Sequence, residues 1–162
     1  FMTDWCLPLV LAWQPLCMLL SALGTVAHTV EEYAGEGGPL WDYFGSIAGS
    51  RIPRLVGLLL FSVALPLGTI AVSAIGYGLD SGGWLSLLAG LRLGDMAFSH
   101  VLPSLWHRPN PGIFSGTVYY GVEGGLLLAL VDVQPLAFGA GVAFFALVLP
   151  VLWLIGQQQA GA

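Results

Sequence analysis

Charge is what this chain has least of. Lysine is absent from its 162 residues, four arginines are the only Lys or Arg side chains against nine acidic ones, and charged residues are 8% of the composition, where about a quarter is usual. With no basic run to follow a phosphate backbone, nucleic acid is excluded as a partner despite the net charge of -5. Cysteine is also scarce: Cys6 and Cys17 fall on one predicted helix, about 16 Å apart along its axis, beyond disulfide reach. They read as packing residues. Only three histidines are present, too few for the histidine-rich arrangement of membrane desaturases.

What fills the chain instead is apolar. Hydrophobic residues are 57% of the sequence and mean hydropathy is +0.86, a composition that describes a polytopic membrane protein without a sizeable soluble domain. The expected fold is an all-α transmembrane helical bundle, a single domain over 1–162. Five apolar stretches, about 6–30, 54–79, 83–105, 115–133 and 135–156, are separated by charged, Gly or Pro punctuation, and each has the length of a span. The first lacks the basic region of a cleavable signal and is read as a retained span. After it, Gly35-Glu36-Gly37-Gly38-Pro39 ends the helix. Trp41, Tyr43, Phe44 and Ile47 then read as a short interfacial segment and a candidate lid.

Arginine distribution supplies an orientation. Arg51 and Arg54 fall in the first loop and Arg108 in the third, so by the positive-inside rule those loops are cytoplasmic and the N-terminus lies outside. Trp5, Trp84 and Trp153 near segment ends fit interfacial anchoring.

On this topology the few ionisable groups gather at one depth. His28, Glu31 and Glu32 close the first span; at about 100° per residue Glu31 lies about 60° to one side of His28 and Glu32 about 40° to the other, on one helix face. The third span descends to the same side with Asp95, Ser99 and His100. The fourth rises from it with Tyr119, Tyr120 and Glu123, the last about 12 Å inside Ser115. An Asp or Arg at a span centre costs about 2.5–3.5 kcal/mol on insertion scales, so Arg92, Asp95 and Glu123 face protein, water or an ion. Arg92 and Asp95, spaced i,i+3, can instead neutralise each other, which makes Asp95 a weaker site candidate than Glu123. His107, Glu36 and Tyr120 are weaker still. For each residue alone the ordinary reading is a solvated helix flank or a hydrogen-bonded histidine; convergence favours a site.

Several chemistries fit that convergence. A His and a Glu at i and i+4 with a further Glu at i+3 share the spacing of zinc hydrolases with an inverted H-x-x-E-H signature. There His28 and Glu32 would bind metal, His100 or Glu123 would supply the third ligand, and Glu31 would activate water. A di-iron centre is the second reading, although the Glu-x-x-His pairs of bundle di-iron proteins are absent. Metal-free acid/base catalysis by Glu31 and His100 is a third. A small proton- or cation-coupled transporter is the fourth, and it requires polar residues that continue to the far side of the membrane.

His28-Thr29-Val30-Glu31-Glu32, followed two spans later by His100-Val101-Leu102-Pro103 and then by Asn110-Pro111-Gly112, resembles the HXXEE-domain family over about residues 10–130. The resemblance implies a small polytopic bacterial membrane protein in which His28, Glu31, Glu32 and His100 share a site; it implies no activity. Met96 stands where the family pattern has Asn, so that amide has no counterpart here. The expectation is therefore an inner-membrane enzyme, with a divalent cation, zinc in preference to iron, acting by hydrolysis on a lipidic or small hydrophobic substrate. Its partner is the lipid bilayer, and the 23 glycines permit close contacts within a chain or in a homo-oligomer.

Overall fold

A computed structural model describes residues 7–33, 63–106 and 112–160, and among them every regular element is helical. Long apolar runs without alternating polar residues leave the backbone to satisfy its own hydrogen bonds, which a helix does within one segment. α1 is Leu7–Tyr33, with Pro15 inside it. α2 is Leu65–Gly78. α3 is one rod over 82–106, made of α-helical Gly82–Gly94, π-helical Asp95–Val101 and α-helical Leu102–Trp106. α4 joins Ile113–Ser115, a second π-helical stretch Gly116–Tyr120, and Gly121–Leu130. α5 is Pro135–Ala160.

The all-α expectation therefore holds. Ile113–Leu130 is, among the described residues, the helix long and apolar enough to cross a membrane; Leu65–Gly78 and Pro135–Leu147 are shorter apolar helices. The expected interfacial segment at Trp41–Ile47, the arginines 51, 54 and 108, and the weaker site candidates Glu36 and His107 lie outside the described residues.

α3 is the central helix, packed against α2, α4 and α5, while α1 packs against α2 and the first turns of α4. Its seam with α5 is built on glycine. A Cβ on Gly90 would overlap the Phe138 carbonyl, and one on Gly141 would stand 2.6 Å from the Leu87 carbonyl oxygen, so small residues let these backbones touch. The Ser86 hydroxyl accepts from the Gln134 N–H at 2.9 Å and ties the start of α5 to α3. Leu85, Leu88, Ala89 and Leu127 form the buried apolar cluster.

Elsewhere the interior is unusually polar. Ser21, Thr25, His28, Thr69, Ser73, Ser86, Arg92 and His100 are all buried, whereas Leu19, Leu20, Leu23, Val26 and Val30 on α1 are exposed. α1 is amphipathic in the inverted sense. Gln14, Ser21, Thr25, His28 and Glu32 recur at spacings of seven, four, three and four, the repeat of one helix face, and of these Ser21, Thr25 and His28 are buried.

A candidate metal centre between two π-helical segments

The centre is assembled where the end of α1 meets the two π-helical stretches of α3 and α4. The i,i+4 spacing of His28 and Glu32 stacks them on the inward face of α1. An α-helix would turn Asp95 about 140° away from His100. The i→i+5 pairing of a π-helix brings residues five apart onto one face, and Asp95–Val101 has that pairing. Asp95 and His100 thereby point at the same place. The α4 π-helix Gly116–Tyr120 begins just after Ser115, and Ser115 and Tyr120, again five apart, both reach His28.

The two histidines meet through Nε2 atoms 3.1 Å apart, with ring planes near perpendicular and centroids 4.7 Å apart. Both side chains are almost fully buried. The Glu32 carboxylate stands 3.5 Å from His28 Nε2 and 3.9 Å from His100 Nε2. Asp95 approaches both, 3.7 Å from each through its two oxygens. His28, Glu32 and His100 each offer a ligand atom within 4.8 Å of the others.

Second contacts orient these groups. The Ser115 hydroxyl lies 2.8 Å from His28 Nδ1 and donates towards the Gly112 carbonyl at 3.5 Å. The hydroxyl thus holds His28 through Nδ1, and Nε2 points inwards to His100. Gly112 is left-handed at φ 77°, and a Cβ there would come within 2.7 Å of His28 Cε1, 2.8 Å of Glu32 Cγ and 2.9 Å of His100 Cε1. Only glycine fits both demands.

With this geometry established, no similarity to known proteins adds to it. Comparison of the chain with protein families, with curated proteins and with solved structures finds no match.

The remaining expected residues are distributed differently. Glu31 turns to the start of α4, where its two oxygens accept the Phe114 N–H at 3.1 Å and the Ser115 N–H at 2.8 Å. Free N–H groups at a helix start attract a carboxylate. Burial acts to raise the Glu31 pKa, but the hydrogen bonds from Ser115 and Phe114 outweigh it and hold the carboxyl below its ordinary value. The Glu123 carboxylate faces Arg92, whose Nε is 2.7 Å from Glu123 Oε2. Tyr77 donates to Glu123 Oε1 at 3.4 Å. Arg92 thus pairs with Glu123 and not with the i+3 residue Asp95.

Arg92 is the largest fully buried side chain among the described residues. Its Nη2 also donates to the Ser21 carbonyl at 3.1 Å, the Ser21 hydroxyl at 3.2 Å and the Thr25 hydroxyl at 2.7 Å. The guanidinium sits 4.1 Å over the Tyr120 ring, a cation–π contact, and His28 also meets that ring, at 4.5 Å between centroids. Tyr120 therefore contributes a ring wall between the two polar centres. Ser21, Thr25, Ser115 and Gly112 were not singled out for these roles from sequence; the polar repeat along α1 was the available signal for the first two.

Proposed function

We propose that this chain is an integral membrane enzyme in which His28, Glu32 and His100 hold one divalent cation, and that the centre hydrolyses a lipidic or small hydrophobic substrate. The observation that carries the reading is the convergence of those three side chains, with both histidine Nε2 atoms aimed at one point. Two histidines and one glutamate are a donor set of zinc hydrolases, which keep a further position for water. A cation held by His28, Glu32 and His100 would lower the pKa of a bound water and polarise a substrate carbonyl.

Zinc suits the site better than a pair of irons. The Nε2 atoms approach too closely to serve two separate ions, and Glu123, a natural second-site ligand, is engaged by Arg92. Glu31 is engaged as a helix cap and is not assigned the base role. A membrane setting is supported by the inverted polarity of α1 and by the apolar length of Ile113–Leu130. The orientation, the bacterial inner membrane and kinship with the HXXEE-domain family belong to the same proposal.

Arg92 favours the enzyme over a cation path. Polar side chains do continue inwards from the centre through Thr25, Ser21, Glu123 and Tyr77, but a fixed guanidinium lies among them. Such a charge repels a passing cation, as arginine does in selective pores.

Elemental analysis of purified wild type beside His28→Ala and Glu32→Ala is the deciding measurement. One equivalent of metal in wild type and a large loss in both variants is expected. Metal-free wild type would sink the reading, as would chelation that leaves hydrolysis of amphipathic ester and amide substrates unchanged.

A further inference from the structure

We propose that Asp95 is a fourth protein donor, making the centre a two-histidine, two-carboxylate site for a borderline dication such as zinc or cobalt. This rests on the reading that His28, Glu32 and His100 bind a metal. Three observations lead to it.

The first is geometric. Zinc bonds of about 2.0–2.1 Å place tetrahedral donors about 3.3–3.4 Å from one another. Five donor separations here are 3.1 Å between the histidines, 3.5 and 3.9 Å from Glu32, and 3.7 Å twice from Asp95. Asp95 thus lies as near both nitrogens as Glu32 does.

The second is the backbone. α3 abandons α-helical pairing at Asp95 and resumes it at Leu102, and π-helical insertions concentrate at functional sites. The consequence of this one is to put Asp95 and His100 on a common face. Without it His100 would still be available, but Asp95 would not.

The third is charge. Both carboxylates are largely buried, with side chains 16% and 14% exposed, beside histidines that are 4% and 2% exposed. The basic group one turn away, Arg92, is committed to Glu123, Ser21 and Thr25. The two Nε2 atoms stand 3.1 Å apart, near enough for one buried ring to donate its proton to the other. A dication would replace that shared proton and neutralise both carboxylates, which a low-dielectric interior otherwise penalises. With four protein donors, a water would bind through expansion to five ligands, which catalytic zinc sites sometimes adopt in the transition state.

Co2+ is the probe. The full chain in detergent is titrated with Co2+ and its visible spectrum recorded for wild type, Asp95→Asn and Asp95→Glu. Wild type is expected to bind one equivalent; Asp95→Asn should bind at least about 10-fold more weakly, no less than loss of an outer partner costs, with shifted bands, and Asp95→Glu should recover part of the loss. Unchanged affinity and spectrum in Asp95→Asn overturns the role of Asp95 and leaves the three-donor centre standing. No Co2+ binding by wild type overturns both. A measurement that needs no variant is infrared difference spectroscopy on protein carrying 13C-labelled aspartate: a label-sensitive carboxylate band should shift on Co2+ addition, and a silent aspartate region overturns the assignment.

Discussion

His28 and His100 face each other through Nε2 atoms 3.1 Å apart, although 72 positions separate them in the chain. One ring is buttressed: His28 Nδ1 meets the Ser115 hydroxyl at 2.8 Å, whereas His100 Nδ1 is buried with no hydrogen-bond partner. Ser115 therefore holds the angle of the His28 ring. Ser115→Ala should weaken metal binding about 10–100-fold, the usual effect of removing such a partner. Ser115→Thr keeps a hydroxyl and should restore much of the affinity. Competition titration with a chromophoric chelator measures both, and equal affinities for wild type and Ser115→Ala would remove Ser115 from the site.

Gly112 tests the approach of α4. At φ 77° an L side chain costs about 1–2 kcal/mol, and its Cβ would press on His28, Glu32 and His100 together. Gly112→Ala should thus lower thermal stability and metal affinity in one step. A variant that melts as wild type and binds metal normally would show that the start of α4 is not seated against the rings.

The Arg92–Glu123 pair spans α3 and α4 with side chains 1% and 10% exposed. Removing one partner strands a buried charge, so Arg92→Met or Glu123→Gln should each destabilise the protein by about 3–5 kcal/mol. Arg92→Met combined with Glu123→Leu should recover a large part of that loss. Steric trapping or denaturant titration in mixed micelles reads the difference; additive losses in the double variant would contradict a paired charge.

Glu31 separates a cap from a ligand. Its carboxylate receives the Phe114 and Ser115 N–H groups, so Glu31→Ala should cost about 1 kcal/mol, as loss of a helix cap does, and leave one equivalent of metal bound. The folded pKa is depressed below the ordinary 4.5. Stability from the cap is accordingly full above the ordinary value and disappears as pH falls through the lower folded one. Melting curves of wild type and Glu31→Ala should differ at pH 7 and converge in acid. A difference that grows on acidification would reverse the assignment.

Much of the architecture was legible before the fold. Apolar stretches of about 20 residues without alternation read as helices, since strands are rarely so long, and helices are what form. His28 and Glu32 could be put on one face from their spacing alone. His100 could be placed near them only through an assumed topology, and the fold brings it there. The polar repeat from Gln14 to Glu32 was equally open to view. Its meaning became clear only when the face proved to be buried around Arg92 and His100.

The sequence by itself determined the helical class and the placing of His28 and Glu32 on one face, since each follows from local pattern. Tertiary structure decided the rest. Asp95 ranked low because Arg92 three residues before it could neutralise it, but Arg92 pairs with Glu123, and a π-helical segment, which no periodicity announces, turns Asp95 to His100. Glu123 shares a region with the histidines by depth, yet the buried guanidinium of Arg92 takes it. Glu31 neighbours a proposed ligand, but the free N–H groups at the start of α4 hold it. In each case a buried charge or an unpaired backbone donor needed its partner from another helix, and only the packed bundle determined which one it found.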